Sequence, residues 1–150
     1  MFLTVPRSPD FVIGGDGTPY MRRWWLIPRN RWFNLYLHNF KRSDDDRALH
    51  DHPWWNVSIV LSGGYLEYLP DEVVKLRKPW RPWTPWRLVF RKATAAHRIE
   101  MIQGVGAVWS LFVTGPTVRE WGFHCPQGWR HHDDFISITP GGNKIGKGCE

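Results

Sequence analysis

Short β-strand patterns, separated by turn residues, constrain the fold of this chain more than any other feature. Runs rich in aromatic and branched residues alternate with glycine, proline and aspartate. They cover residues 32–40, 56–61, 64–69, 87–92, 97–102, 107–113 and 119–125. No long window repeats apolar residues at the spacing of an α-helix. Because many short strands with turns between them are typical of closed sheets, the pattern predicts an all-β sandwich or barrel with long loops and little helix.

The length of 150 residues is that of one domain, and we place its limits at residues 1–139. The segment KPWRPWTPW at 78–86 is predicted to be a loop or an edge segment, because proline removes backbone donors. From residue 140 onward, PGGNKIGKGCE is rich in glycine and lysine and has almost no apolar residue. Residues 140–150 are therefore predicted to be a disordered tail.

The sequence HDHPWWNVSIVL at residues 50–61 places two histidines one residue apart. Residues i and i+2 of a strand point to the same face, so the rings of His50 and His52 can converge on one ion. Asp51 then points the other way, and either orients a partner from behind or faces solvent. A third ligand must come from elsewhere. His97 is the best candidate, because it begins a strand pattern after the small residues of KATAAHRIEM.

Other polar residues near this motif are weaker candidates for metal binding. His38 lies in the alternating pattern LYLHNF and could equally be a packed histidine. His124 is a further possibility. His131 and His132 are adjacent, so we expect a surface pair without a common face. The acidic run from Asp44 to Asp46 is expected to be a solvated turn.

The stretch HDHPWWNVSIVLSGG resembles the first motif of the cupin superfamily, which is His-x-His, three or four residues, glutamate, six residues and glycine. His50 and His52 match the histidines, Gly63 matches the glycine, and Asn56 stands at the glutamate position. RLVFRKATAAHRIEM retains only the histidine of the second cupin motif, at His97. The resemblance covers about residues 50–101. It implies a double-stranded β-helix, which is a jelly-roll barrel, with a metal site inside.

Asn56 changes the metal site that the resemblance implies. A carboxylate is lost, and the amide oxygen binds a metal weakly or not at all. The predicted ligand set is therefore His50, His52 and His97, with Asn56 as the fourth position. A site dominated by imidazole suits Fe, Ni, Zn or Cu better than Mg or Ca. The resemblance implies a comparison with thiol dioxygenases, in which three-histidine iron sites of this kind occur.

Three functions follow from these residues. The first is a metal-dependent enzyme that acts on a small molecule, of dioxygenase type; no general base stands out, and Glu67 and Glu100 are the nearest acidic candidates. The second is a non-enzymatic cupin that binds a sugar or metabolite, because Asn56 weakens the metal site. The third is single-stranded nucleic-acid binding by KPWRPWTPWR, where bases could stack on tryptophan. We rank it last, because such tryptophans more often cover an apolar surface or a dimer contact.

Charge and tryptophan content indicate which kinds of partner the protein could bind. The net charge is +6, but the basic residues are scattered rather than clustered. Eleven tryptophans suit an aromatic-walled pocket or an interface. Cupins often pair, so the resemblance implies a homodimer.

The cysteines and the N-terminal stretch bear on compartment. Cys125 and Cys149 do not make a disulfide framework, and Cys125 is expected to be a small buried residue. MFLTVPRSPDFVIGG lacks the long apolar core of a signal peptide, and no run reaches the ~18 apolar residues of a membrane helix. We therefore expect a cytoplasmic protein without a membrane partner.

Overall fold

Strands make up most of the structure, a computed structural model that describes residues 5–14, 19–44, 48–139, 142–145 and 148–150. The strands are β1 (Phe11–Ile13), β2 (Met21–Trp25), β3 (Asn34–Phe40), β4 (Leu49–His50), β5 (Asn56–Ser62), β6 (Tyr65–Tyr68), β7 (Val74–Arg77), β8 (Val89–Arg91), β9 (Arg98–Met101), β10 (Val108–Thr114), β11 (Gly122–Cys125), β12 (Gly128–His131), β13 (Ile136–Thr139) and β14 (Gly142–Ile145). The described ranges contain one short helix, α1 (His132–Phe135), and a 3-10 turn at Pro85–Arg87. The all-β prediction is confirmed. Among the described residues, no helix has the length and hydrophobicity needed to span a bilayer.

The largest sheet has the strand order β1–β2–β3–β10–β5–β8, and every neighbouring pair in it is antiparallel. Two neighbouring interior strands of this sheet, β10 and β5, bury every second side chain, because successive side chains of a strand point to opposite faces. The buried positions are Val108, Ser110, Phe112 and Thr114 on β10, and Asn56, Ser58 and Val60 on β5. Asn56, Ser58 and Val60 therefore share the inner face of β5.

A second sheet, β7–β6–β9, packs on the inner face of the large sheet. The contact is an apolar cluster to which both sheets contribute. Its buried members are Met21, Phe40, Val60 and Val108 from the large sheet, and Tyr65 and Ile99 from the second. Gly63 lies in the tight turn between β5 and β6 with φ 80°, and a Cβ there would lie 3.0 Å from Val108 Cγ2. The turn therefore favours glycine on two grounds.

Two smaller sheets complete the described structure. β12–β11–β4 brings the first motif histidine, His50, beside β11, and β13 pairs with β14. The segment 78–86 contains no strand, as its prolines predicted. Two of its three tryptophans, Trp83 and Trp86, are 72% and 73% exposed. They belong to the surface of the protein and not to its core.

The C-terminal segment has structure in the part that is described. Residues 140–141 and 146–147 of the predicted tail lie outside the described residues, but β14 (Gly142–Ile145) is paired and Cys149 forms a disulfide with Cys125. The expectation that the two cysteines form no disulfide is thus wrong, and Cys125 is only partly buried, not fully buried as expected. Sequence separation alone could not reveal that the two Cα atoms lie 5.4 Å apart. The domain limit at residue 139 stays a prediction.

Candidate metal centre

His50 and His97 lie side by side because their backbones pair. The N–H of each residue donates to the carbonyl of the other at 2.9 Å, as an isolated antiparallel bridge. β4 pairs on its other side with β11, where His50 lies opposite Phe123. The N–H of His52 donates to the carbonyl of Ala93 at 3.1 Å. Main-chain hydrogen bonds therefore position all three histidines.

The three histidine rings converge. The ring centroids of His50 and His97 are 4.9 Å apart, and the centroid of His52 is 5.1 Å from each of them. One ring nitrogen from each residue lies within 4.8 Å of the other two. His50 and His52 meet although β4 ends at His50 and His52 lies outside a strand. This arrangement suits one ion held among the three rings.

Glu67, on β6, fixes the orientation of the His97 ring. His97 Nδ1 donates to Glu67 Oε1 at 2.7 Å, while Arg91 Nε and Arg77 Nε donate to the same carboxylate at 2.6 and 2.5 Å. Glu67 is fully buried. The buried Nε2 of His97 has no hydrogen-bond partner among the described residues. A neutral histidine that carries its proton on Nδ1 presents the lone pair of Nε2 to a metal.

Asp44 lies beside His50. Its Oδ2 is 3.9 Å from His50 Nδ1 and accepts the N–H of Ile99 at 2.6 Å. The Tyr20 hydroxyl donates to Oδ1. The expected solvated turn is thus wrong for Asp44, because the carboxylate is held inside the fold. Asp45 and Asp46 lie outside the described residues.

Burial keeps the three imidazoles uncharged near neutral pH. It lowers the pKa of His97 to about 4, although the hydrogen bond to Glu67 opposes this change. It also lowers the pKa of His50, and it lowers the pKa of His52 well below its ordinary range with help from His50 and His97. Burial alone would raise the pKa of Glu67, but the His97 hydrogen bond and the arginine charges hold it low. Neutral imidazole is the form that ligates metals.

Asn56 belongs to a buried polar network behind the histidines. Arg91 Nη1 donates to Asn56 Oδ1 at 3.2 Å and to Ser58 Oγ at 2.9 Å. Arg91 thereby connects the position of the cupin glutamate to Glu67. Asn56 is fully buried and is not among the described residues that line the cavity below. Metal ligation by Asn56 stays a prediction, and its amide oxygen has a protein partner in this structure.

Asp51, between the two motif histidines, points away from them as predicted, but it does not face solvent. Its buried carboxylate accepts the Gly122 N–H at 2.9 Å and the Trp129 Nε1–H at 3.0 Å. It also pairs with Arg119 at 2.9 Å and with His124 at 3.0 Å. Burial would raise the pKa of Asp51, but these partners, Arg119 foremost, lower it. Asp51 therefore anchors the His-x-His segment to β11.

The other histidines lie outside the triad. His38 is buried on β3 and accepts from Arg23 Nε at 2.9 Å. The rings of His131 and His132 are 4.2 Å apart, so the expectation that they share no face is wrong. β12 ends at His131 and α1 begins at His132, so strand alternation does not apply. With Glu120 they form a second cluster of ligand-type residues, but His131 is already bonded through Nε2 to Glu120 and through Nδ1 to the Asp133 N–H.

The triad opens onto a cavity of about 540 Å³. Most of its wall is aromatic and aliphatic, and the lining also contains five histidines, Arg23, Asp44 and Asp133. Besides the triad, the lining includes Arg23, His38, Trp54, Phe112, Trp121 and Phe123. This combination of apolar walls and a few convergent polar groups is typical of a small-molecule site.

Comparison of the whole structure with solved structures identifies the fold. An RmlC-like cupin from Methanocaldococcus jannaschii, described as a double-stranded β-helix, aligns at a TM-score of 0.50 and 13% identity over 65% of this chain and 81% of that one. The chain has the cupin fold. Fe(II) HppE also aligns, at a TM-score of 0.57 and 16% identity over 76% of this chain and 60% of its own. The fold that the sequence motif implied is thus confirmed.

The DMSP lyase DddQ from Ruegeria pomeroyi is a further cupin-fold neighbour, with a TM-score of 0.54 and 14% identity. The alignment covers 77% of this chain and 57% of the lyase, so this chain spans little more than half of that protein. No family model and no curated protein sequence matches the chain. At these identities the likeness concerns the fold, and any function must be argued from the site itself.

Proposed function

We propose that this cupin-fold protein binds one divalent transition-metal ion at His50, His52 and His97 and acts on a small molecule in the adjoining cavity. The observation that carries the proposal is the buried Nε2 of His97, which lies beside two further imidazoles and has no hydrogen-bond partner in the described part of the chain. A buried nitrogen without a hydrogen bond is unfavourable unless a ligand binds it. The residues therefore fit a metal. An imidazole donor set favours Fe, Ni, Zn or Cu.

The bound metal would supply Lewis acidity or redox chemistry to a substrate in the cavity. The protein residues would orient the ligands and exclude water. Glu67 keeps the proton of His97 on Nδ1, and the apolar lining limits solvent access to the triad. The reaction we propose is an oxidation of dioxygenase type, for which a three-histidine site leaves coordination positions open.

Metal content tests the proposal directly. Wild-type protein, His52→Ala, His97→Ala and the control His124→Gln would be stripped of metal, exposed to Fe(II), Ni(II), Zn(II) or Cu(II), desalted and analysed by mass spectrometry. We expect about one ion per chain in the wild type and the control, and a loss of at least tenfold in the two triad variants. Equal metal in all four proteins, or none in any, would refute the site. Oxygen consumption by the iron-loaded protein with candidate substrates then tests the oxidation.

A second function is favoured by the contact between Asn56 and Arg91. Because Asn56 adds no negative charge and its oxygen is bonded to Arg91, a bound metal would receive no carboxylate from this position. Such a site could bind a sugar or metabolite without turnover. Stoichiometric ligand binding without oxygen uptake or product, with every metal named above, would support this alternative over the enzyme.

A further inference from the structure

Arg23 is a charged residue within an otherwise largely apolar cavity. It lies on β2 directly opposite His38 on β3, and both residues line the same cavity as the histidine triad. Its Nε donates to His38 Nε2 at 2.9 Å, and its guanidinium lies 4.7 Å from the centre of the Tyr36 ring. These contacts hold the side chain in place but do not neutralise its charge.

The positive charge of Arg23 has no acidic partner in the described part of the chain. Other inward arginines do have one: Arg77 and Arg91 pair with Glu67, and Arg119 pairs with Asp51. Burial lowers the pKa of Arg23, which reflects the unfavourable desolvation of its charge. Placing a cation inside a protein without a counterion costs free energy. An anion bound in the cavity would compensate for it.

His38 determines which N–H groups of the Arg23 guanidinium remain available to such an anion. It accepts the Nε proton, so its own proton is on Nδ1, and burial holds the pKa of His38 well below its usual range. The ring is therefore a neutral acceptor and cannot repel Arg23 as a second cation. Among the described residues, neither Nη nitrogen of Arg23 has a hydrogen-bond partner. Two parallel N–H groups match the two oxygens of a carboxylate.

The remaining charged groups of the cavity leave this end positive. Asp44 is bonded to the Ile99 N–H and lies beside His50, at the triad. Asp133 belongs to α1, and its side chain is 63% exposed. Aromatic side chains such as Phe112, which contacts both His38 and His52, line the space between Arg23 and the triad.

We infer that Arg23, held by His38, binds the anionic group of a small organic acid whose apolar body lies along the aromatic wall toward the histidine triad. The inference names the substrate class for the proposed small-molecule function and rests on it. The anion is a carboxylate, for which the guanidinium is the matching partner. Because Arg23 and the triad line the same cavity, the other end of the molecule would lie near the metal.

Matched acids and amides test the inference. Binding to metal-free protein would be followed by the change in intrinsic tryptophan fluorescence, to which Trp54 and Trp121 in the cavity wall contribute. The probes are acetate, butyrate, benzoate and phenylacetate, each paired with its neutral amide. The proteins are wild type, Arg23→Met, Arg23→Lys and the control Arg22→Met, which alters the neighbouring residue on the opposite face of β2. Far-ultraviolet circular dichroism would establish that each variant is folded.

We expect at least one acid to bind the wild type roughly tenfold more tightly than its amide, since a charge-assisted pair is worth about that factor. Arg23→Met should abolish this preference, Arg23→Lys should retain part of it, and Arg22→Met should leave it unchanged. Equal binding of acids and amides, a preference that survives in Arg23→Met, or no binding of any acid would overturn the inference.

The readout separates this inference from the metal proposal. Because the measurements use metal-free protein, an acid preference that depends on Arg23 stands even if the triad binds no metal. Conversely, Arg23→Met should still take up about one metal ion per chain. If the wild type takes up metal normally but shows no preference for acids over amides, the anion subsite is refuted and the metal centre is not.

Discussion

Glu67 Oε1 accepts a hydrogen bond from His97 Nδ1 at 2.7 Å, and the same carboxylate is bound by two arginines. One buried side chain thus connects the proposed metal ligand to the polar network of β5 and β8. Removing the Glu67 charge would leave Arg91 buried with only neutral partners.

Glu67→Gln is therefore expected to lower the free energy of unfolding by about 3 kcal/mol or more, because it breaks a buried ion pair. It should also weaken metal binding roughly tenfold or more, since the orienting partner of a ligand histidine is altered. Urea unfolding and metal titration measure the two effects. Glu100→Gln, at a side chain that is 40% exposed, is the matched control. Unchanged stability in Glu67→Gln would contradict the role of the network.

Acid should destabilise the protein through its buried histidines. The pKa of His38 is lowered in the folded state, mainly by burial and then by Arg23. As the pH falls below about 6.5, the unfolded chain therefore binds a proton that the folded chain does not, and stability is lost. The stabilising contribution is complete above this pH.

His38→Gln should flatten the dependence of unfolding free energy on pH between pH 6.5 and 5, by at most about 1.4 kcal/mol per pH unit. Urea unfolding of metal-free protein at several pH values measures the slope. His124→Gln, a substitution outside the cavity, serves as the comparison. Identical slopes for His38→Gln and wild type would show that His38 titrates normally in the folded state.

The Cys125–Cys149 disulfide joins β11 to the C-terminal segment. Replacing both cysteines with serine should lower the free energy of unfolding by roughly 3 kcal/mol, as expected for a closed loop of this length. A thiol reductant should lower the melting temperature of the wild type but not of the double variant. Two reactive thiols in unreduced native protein would argue against the bond. Disulfides are rare in the cytosol. A stable bond in native protein would therefore argue against the predicted cytoplasmic location.

The exposed tryptophans of segment 78–86 test the predicted homodimer. Light scattering should give twice the chain mass for the wild type and the chain mass for Trp83→Ser/Trp86→Ser, because large exposed apolar groups mark interfaces. Trp32→Ser, at another exposed tryptophan, should remain dimeric. A wild-type monomer that binds labelled single-stranded DNA in a salt-dependent manner would instead favour the nucleic-acid function.

Most of the large sheet could be predicted from local patterns. β5 and β10 alternate buried and less buried residues, and β3 does so as far as His38. The predicted runs differ from the observed strands by only a few residues. β2 was missed because its sequence, MRRWW, carries a charged residue on the inner face. Arg23 occupies a position that alternation assigns to an apolar side chain. β4 was missed as a separate strand because two residues are too few to show a pattern.

The sequence by itself determined the two-residue spacing of His50 and His52, the alternation of β5 and the candidacy of His97. Those features are local or rest on a motif. The tertiary structure decided the contacts of Glu67, Arg91 and Arg23, because each contact depends on how distant strands pair. The register of β6 with β9 places Glu67 opposite Ile99, and that of β5 with β8 places Asn56 opposite Arg91. Strand register depends on the pairing of strands that are distant in sequence, since a shift of one residue would turn every side chain of a strand to the opposite face.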